Sequence, residues 1–323
     1  MIDTLSIARF KSIRSLSIEC RKVNLFIGAP DTGKTNILEA LHLLSRLGWG
    51  LPLEHSLRID PILGFEALFH NQFVDQPFEI VLTSSAKSEQ LQGWPAPGRQ
   101  LTLRWSGGDV TLGFGANVHH PSFENIRAYA YSTSLAWTYK HGRKVEVVEP
   151  PHGENLIYLA RHHSGVHEFL TETLSPLGWK LRFDSTQGVF RLSEVRPNEI
   201  IDYPLEVVSD TLKRLLFYGS ILLTSREVTL VFDEPDVWAF PPYPKMLGEM
   251  IAADESNQFF LTTHNPYFLS AIVEKTPADR LALFVCQRVD GATTAKRLGP
   301  ERIAEVIEHG ASVFFNLDSL LES

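Results

Sequence analysis

Apolar positions alternate at the start of the chain. Leu5, Ile7 and Phe10, then Leu16 and Ile18, predict two short strands turning near Lys11-Ser12. Val23–Ile27 is a continuous apolar run, as in a strand buried on both faces, and it breaks at Gly28. Ile37, Leu38, Leu41 and Leu44 then fall at helical spacing over residues 36–47. Residues 76–115 look β-rich in three runs, FEIVLTS, RQLTLRW and DVTLGFG, separated by Gly, Pro and Ser. Residues 90–99 (QLQGWPAPGR) predict a loop, 154–177 a helix, 180–194 a strand pair and 212–223 an apolar helix. Thr229–Phe232 and Gln258–Thr262 are buried strands, with a helix over 246–253 between them. Strands at 281–288 and 293–298 flank the hairpin dipeptide Asp290-Gly291, and a short helix follows from Pro300. Buried strands alternating with helices at both ends predict a mainly parallel α/β core interrupted by an insertion.

Composition narrows this picture. The chain has 323 residues, 44% hydrophobic and 21% charged, which is globular and long enough for about two domains. The net charge of −8 argues against a protein that coats nucleic acid. Residues 1–50 hold seven basic and four acidic side chains, a net of +3, so an anion site is expected near the N-terminus. Two distant cysteines, Cys20 and Cys286, make neither a metal motif nor a disulfide framework. No signal-peptide pattern and no apolar run of about 20 residues is present, so a cytoplasmic protein without membrane contact is expected.

The chemistry concentrates at three strand ends. Gly28-Ala-Pro-Asp31-Thr32-Gly33-Lys34-Thr35 matches the phosphate-binding pattern G-x-x-x-x-G-K-[ST], with a buried strand before it and a helix opening at Asn36 after it. Backbone N–H groups of such a loop converge on phosphates. Gly33 allows a backbone that a Cβ would obstruct, Lys34 neutralises β/γ-phosphate charge, and the Thr35 hydroxyl ligates Mg²⁺. ATP with Mg²⁺ is therefore the expected ligand pair, with Gly28, Asp31, Thr32, Gly33, Lys34, Thr35 and Asn36 as the expected nucleotide-binding residues. Thr229–Phe232 delivers Asp233 and Glu234 to a strand's carboxyl edge, the first suited to Mg²⁺ and the second to polarising a water. A third apolar strand ends in Thr262-Thr263-His264, whose imidazole suits the γ-phosphate and the attacking water.

The order of these segments resembles an ABC-type ATPase. RFKSIRSLSIECRKVNLFIGAPDTGKTNILEAL, Ser209-Asp-Thr-Leu-Lys-Arg214, FDEP and TTHNPYFL are similar to the SMC/RecF/OLD-like branch of AAA-family ATP-binding proteins, over roughly residues 1–50 and 205–298. The resemblance implies a P-loop NTPase head with N-terminal antiparallel strands, split between 1–50 and 205–298. Residues 51–204 are then a mixed α/β insertion and 299–323 a C-terminal helix and tail. It implies that Ser209 grips the γ-phosphate bound to a second head, so a homodimer or a homologous partner head is required. It offers Gln72 as a nucleotide sensor, a surface glutamine being the alternative, and Asp236 as a dimer-contact residue. Thr211 stands where the branch often has glycine, with Lys213 and Arg214 as compensation or as solvent-facing charges. Asp31 is unfavourable near phosphate unless it points away.

Long coiled coils are not expected between Leu51 and Leu205, nor a nuclease module in the fifty or so residues after TTHNPYFL. The leading expectation is an ATP-hydrolysing dimer switch that controls a separately encoded effector in DNA maintenance or anti-phage defence. DNA is a partner only through a local patch. A transporter nucleotide-binding subunit and a scaffold with negligible hydrolysis are the alternatives. Other groups are weaker. His162, His163 and His167 could share a metal or simply belong to a helix. Arg9, Lys11 and Arg14 could flank nucleotide or edge a strand. Trp137, Tyr139, Lys140, Arg143 and Lys144 could meet nucleic acid or form a solvated hairpin.

Overall fold

The computed structural model describes residues 1–53, 57, 59, 64–132, 145–237, 240–317 and 319–321. The aromatic-basic group from Trp137 to Lys144 lies outside these residues. The chain opens with β1 (Thr4–Phe10), β2 (Ile13–Glu19) and β3 (Val23–Ile27), followed by α1 (Lys34–Trp49). Next come β4 (Phe78–Thr83), β5 (Ser88–Ala96), β6 (Gln100–Trp105), β7 (Gly108–Leu112) and β8 (Ile126–Tyr129). Two helices, α2 (Leu156–His162) and α3 (Ser164–Leu174), lead to β9 (Lys180–Asp184), β10 (Val189–Arg196) and β11 (Glu199–Pro204). The last third holds α4 (Asp210–Thr224), β12 (Thr229–Phe232), α5 (Pro242–Ala253), β13 (Gln258–Thr262) and α6 (Pro266–Lys275). It ends with β14 (Leu281–Val289), β15 (Ala292–Arg297) and α7 (Pro300–His309).

The core sheet runs β15-β14-β3-β13-β12-β8 and is parallel except for β15. The period of two along β3 divides two hydrophobic layers. Val23, Leu25 and Ile27 join the layer built by α2 to α6, whereas Phe26 joins the layer under α1 and the N-terminal strands. Each such fully buried side chain contributes about 1.5–3 kcal/mol by leaving water. Asn24 is the polar exception, and its amide is satisfied by the carbonyls of Arg21 and Phe259 at 2.8 and 3.0 Å.

A second sheet is antiparallel, in the order β2-β1-β4-β5-β6-β7, so residues 78–112 extend the sheet that the chain's first two strands begin. A three-stranded antiparallel sheet, β11-β10-β9, stands apart from it. This is the expected α/β P-loop architecture, with antiparallel N-terminal strands and a parallel core.

Three local expectations are corrected. Residues 88–96 form strand β5 rather than a loop. Gly93 is there because a Cβ would lie 2.1 Å from the Phe78 ring. Pro95 is tolerated because pairing with β4 stops at Gly93, so its missing N–H lies beyond that ladder. The helix expected over 154–177 breaks at His163, whose Nδ1 accepts the Val166 N–H at 3.2 Å and caps α3. The His163 carbonyl accepts the His167 N–H at 3.0 Å, so the two remain i, i+4 neighbours at the start of α3, but the His163 ring is taken up by the Val166 N–H. His167 Nδ1 instead lies 3.0 Å from the Ala160 carbonyl, and the His162 ring packs on Tyr158. Among the described residues no metal-holding cluster forms. The third strand of that small sheet, β11, was not expected.

Candidate functional site

The phosphate loop starts where β3 ends. A Cβ on Gly28 would lie 2.5 Å from the Cys286 carbonyl of β14, and one on Gly33 would lie 1.9 Å from Thr293 Oγ1. Gly33 has φ 89° and opens α1 without a side-chain cap, leaving the helix's first N–H groups directed toward the loop. Lys34 is buried, and its Nζ donates to the carbonyls of Gly28 and Ala29 at 3.0 and 2.8 Å. Burial lowers its pKa. Thr32 Oγ1 donates to the Ala29 carbonyl at 2.9 Å. Asp31 is exposed in the left-handed region, φ 58°, so its charge lies on the solvent side of the loop. Asn36 Nδ2 donates to Ser12 Oγ at 2.5 Å, and Ser12 Oγ meets Thr293 Oγ1 at 2.6 Å. Its amide thus holds the β1–β2 turn and the β14–β15 hairpin against the loop.

The two acidic residues follow β12. Thr35 Oγ1 donates to Asp233 Oδ1 at 3.2 Å, and Thr262 Oγ1 donates to the same oxygen at 2.6 Å. A hydroxyl and a carboxylate oxygen side by side form a hard donor pair that would suit Mg²⁺. Bound there, Mg²⁺ would offset phosphate charge. Glu234 has φ 47° and its N–H donates to Thr262 Oγ1 at 2.9 Å. Its Oε1 lies 3.5 Å from His264 Nε2, with both side chains about one-third exposed. Burial, and then the Lys34 ammonium, hold the His264 pKa below the ordinary imidazole value. The neutral ring can therefore accept or donate one hydrogen bond beside the carboxylate. Phe314 packs near it, with ring centroids 6.1 Å apart.

Ser209 lies at an exposed position, where its hydroxyl caps α4 by accepting the Leu212 N–H at 3.4 Å. Lys213 Nζ pairs with Asp210 at 3.2 Å and the Arg214 guanidinium stacks 4.5 Å from the Tyr131 ring centroid, so both cations are engaged locally. Gln72 is exposed at the end of a short turn, with φ 59°. Asp236 is only 3% exposed and accepts from Thr263 Oγ1 at 2.6 Å, so it is an interior residue rather than a surface contact. Burial pushes its carboxyl up to about 7. Lys11 forms a buried ion pair with Glu39 at 2.6 Å, Arg9 Nε donates to the Pro77 carbonyl at 2.6 Å, and Arg14 is exposed. Lys11 is thus not an exposed edge charge. Sequence reasoning gave no role to Thr262, Ser12, Thr293 or Phe314. A hydroxyl pair preceding His264 was the one available signal, and it acquires meaning only through strand order.

A family model described as "AAA domain, putative AbiEii toxin, Type IV TA system" matches residues 23–270. Two solved structures share the fold. One is an SMC head bound to the C-winged helix domain of ScpA, at TM-score 0.58 and 15% identity, with 93% of this chain and 99% of that chain covered. The other is an SMC head with an extended coiled coil, bound to the C-terminal domain of ScpA derived from Pyrococcus furiosus. It aligns at TM-score 0.56 and 12% identity, over 95% of this chain and 98% of that one. A search of curated proteins returned no match. Among the described residues no helix is long and apolar enough to cross a membrane.

Proposed function

The chain belongs to the AAA domain family matched across residues 23–270, and from that membership we propose that it is an ATP-binding and ATP-hydrolysing switch. The observation that carries this reading is the convergence of Thr35 and Thr262 on Asp233 Oδ1, with Glu234 beside His264. Lys34 and the loop N–H groups bind the phosphates, Thr35 and Asp233 hold Mg²⁺, Glu234 polarises the attacking water, and His264 orients it near the γ-phosphate. Asp31, Thr32 and Asn36 shape the loop, and Gln72 senses the nucleotide. Residues 1–50 and 205–298 form the split head, with β8 lending its core sheet an edge strand and β4–β7 extending its N-terminal sheet. Residues 51–204 are the insertion and 299–323 the tail.

Two heads close head to tail on ATP, each receiving Ser209 of its partner. The exposed Ser209 cap supports this, as do Phe240, Tyr267 and Phe315, which are 64%, 48% and 90% exposed. Phe240 and Tyr267 flank the starts of α5 and α6 at the carboxyl edge, and Phe315 follows the ring that packs near His264. A separately encoded protein effector then reads the dimer. The ScpA domains bound to the two SMC heads, and the toxin–antitoxin wording of the family description, support a protein partner in preference to DNA. The net charge of −8 points the same way. The test is Mg²⁺-dependent ATP turnover by the purified chain, with Glu234→Gln as its inactive counterpart. Turnover in the wild type and its loss in the variant support the reading, and absence of turnover with bound ATP favours the scaffold alternative.

A further inference from the structure

We propose that Thr262 is a positioning residue for both carboxylates of the β12 edge, one hydroxyl orienting Asp233 and Glu234 at once. The inference rests on the ATPase reading above. The core sheet places β13 between β3, which leads into the phosphate loop, and β12, which leads into the two acids. Register pairs Leu261 with Phe232 on one side and Thr262 with Phe26 on the other. The last residue of β13 is thereby set beside Asp233, in the gap between the loop and the acidic pair.

A hydroxyl has one hydrogen to give and lone pairs to receive. Thr262 gives its hydrogen to Asp233 Oδ1 at 2.6 Å and receives the Glu234 N–H at 2.9 Å, so both roles are used in fixed directions. Thr262 has no exposed surface, and water does not compete for either bond. The first bond turns Oδ1 toward Thr35, which donates to the same oxygen at 3.2 Å. The second anchors Glu234 in the left-handed backbone region, φ 47°, which a residue with a Cβ adopts only when its neighbours hold it there. From that backbone the Glu234 carboxylate comes within 3.5 Å of His264. Thr263 repeats the device one residue on: it donates to Asp236 at 2.6 Å and accepts the Asn265 N–H at 2.9 Å. Thr262 touches neither nucleotide nor water in this account and acts through the two acids.

Steady-state turnover of wild type, Thr262→Val and Thr262→Ser tests the assignment. Valine keeps the shape and removes the hydroxyl, and serine keeps the hydroxyl. Thr262→Val is expected to lose about 10–100-fold in kcat, as removal of an orienting partner typically does, with KM for ATP within about threefold. Thr262→Ser is expected to recover to within about fivefold of wild type. A valine variant with wild-type kcat, or a serine variant as slow as valine while melting like wild type, overturns the proposal. If the valine variant does not fold, Thr262→Ala carries the same comparison. If the wild type itself does not turn over ATP, the ATPase reading has failed and the positioning claim is read separately. Hydrogen exchange at the Glu234 amide then accelerates in the valine variant and stays protected in the serine variant; equal exchange in both overturns it.

Discussion

The Thr35 hydroxyl donates to Oδ1 of Asp233 across 3.2 Å, joining the first turn of α1 to a residue 198 positions later. Thr35 and Asp233 are the proposed Mg²⁺ pair. Together they present two hard oxygens on one side of the loop. Thr35→Ala and Asp233→Asn are each expected to weaken Mg²⁺-supported ATP binding about tenfold or more, while binding in EDTA stays within about twofold of wild type. Titration with a fluorescent ATP analogue, with and without Mg²⁺, checks this. Variants that keep the full Mg²⁺ enhancement would contradict the assigned pair.

Gly33 is the tightest point of the loop. At φ 89° a Cβ would meet Thr293 Oγ1 at 1.9 Å and Ser12 Oγ at 2.6 Å, the two groups that tie the neighbouring hairpins to the loop. Gly33→Ala is therefore expected to cost about 2–3 kcal/mol, combining a left-handed backbone with a broken side-chain pair. Thermal melting should show a fall of roughly 3–4 °C. A melting curve unchanged from wild type would mean that this close approach does not constrain the loop.

Asp236 gives the protein a pH dependence of known sign. Its carboxyl is raised from the ordinary range to about 7, first by burial. The folded chain thus keeps a proton that the unfolded chain releases near pH 4, so stability is full below that pH and declines as pH rises through about 7. The loss is on the order of 4 kcal/mol between pH 4 and 8. Asp236→Asn keeps an acceptor for Thr263 and carries no charge, so it should flatten that part of the profile. Urea unfolding at pH 5 and 8 distinguishes the two, and identical slopes would remove Asp236 from the account.

Much of the fold is visible in the sequence because its strongest elements are local. The apolar run of β3, the glycines after it and the helical spacing of α1 lie within 27 consecutive residues, Val23 to Trp49. Asp233, Glu234 and His264 are likewise announced by the apolar strands that precede them. Strand β5 was hidden because Gly93 and Pro95 signal a turn until Phe78 and the end of the β4 ladder are known. The α2–α3 break was hidden because His163 carries helical phase while capping a new helix. Lys11 could not be assigned between a nucleotide flank and a strand edge because Glu39, its buried partner, sits on another element. Thr262 looked like a strand end because its role depends on β13 lying between β3 and β12. What the sequence conceals in each case is a contact between segments distant in the chain.

The central claim is that Glu234 promotes hydrolysis in an ATP-closed pair of heads. Light scattering coupled to size exclusion, run on Glu234→Gln in Mg²⁺-ATP alongside a turnover assay, tests it most directly. Loss of a positioned general base predicts a fall in kcat of about 10²–10⁴-fold. ATP binding should be intact, and a dimer should persist that the wild type forms only transiently. Adding Ser209→Arg to the same chain should return it to monomers that still bind ATP. Hydrolysis at the wild-type rate in Glu234→Gln, or a variant that binds ATP and remains monomeric, would contradict the account.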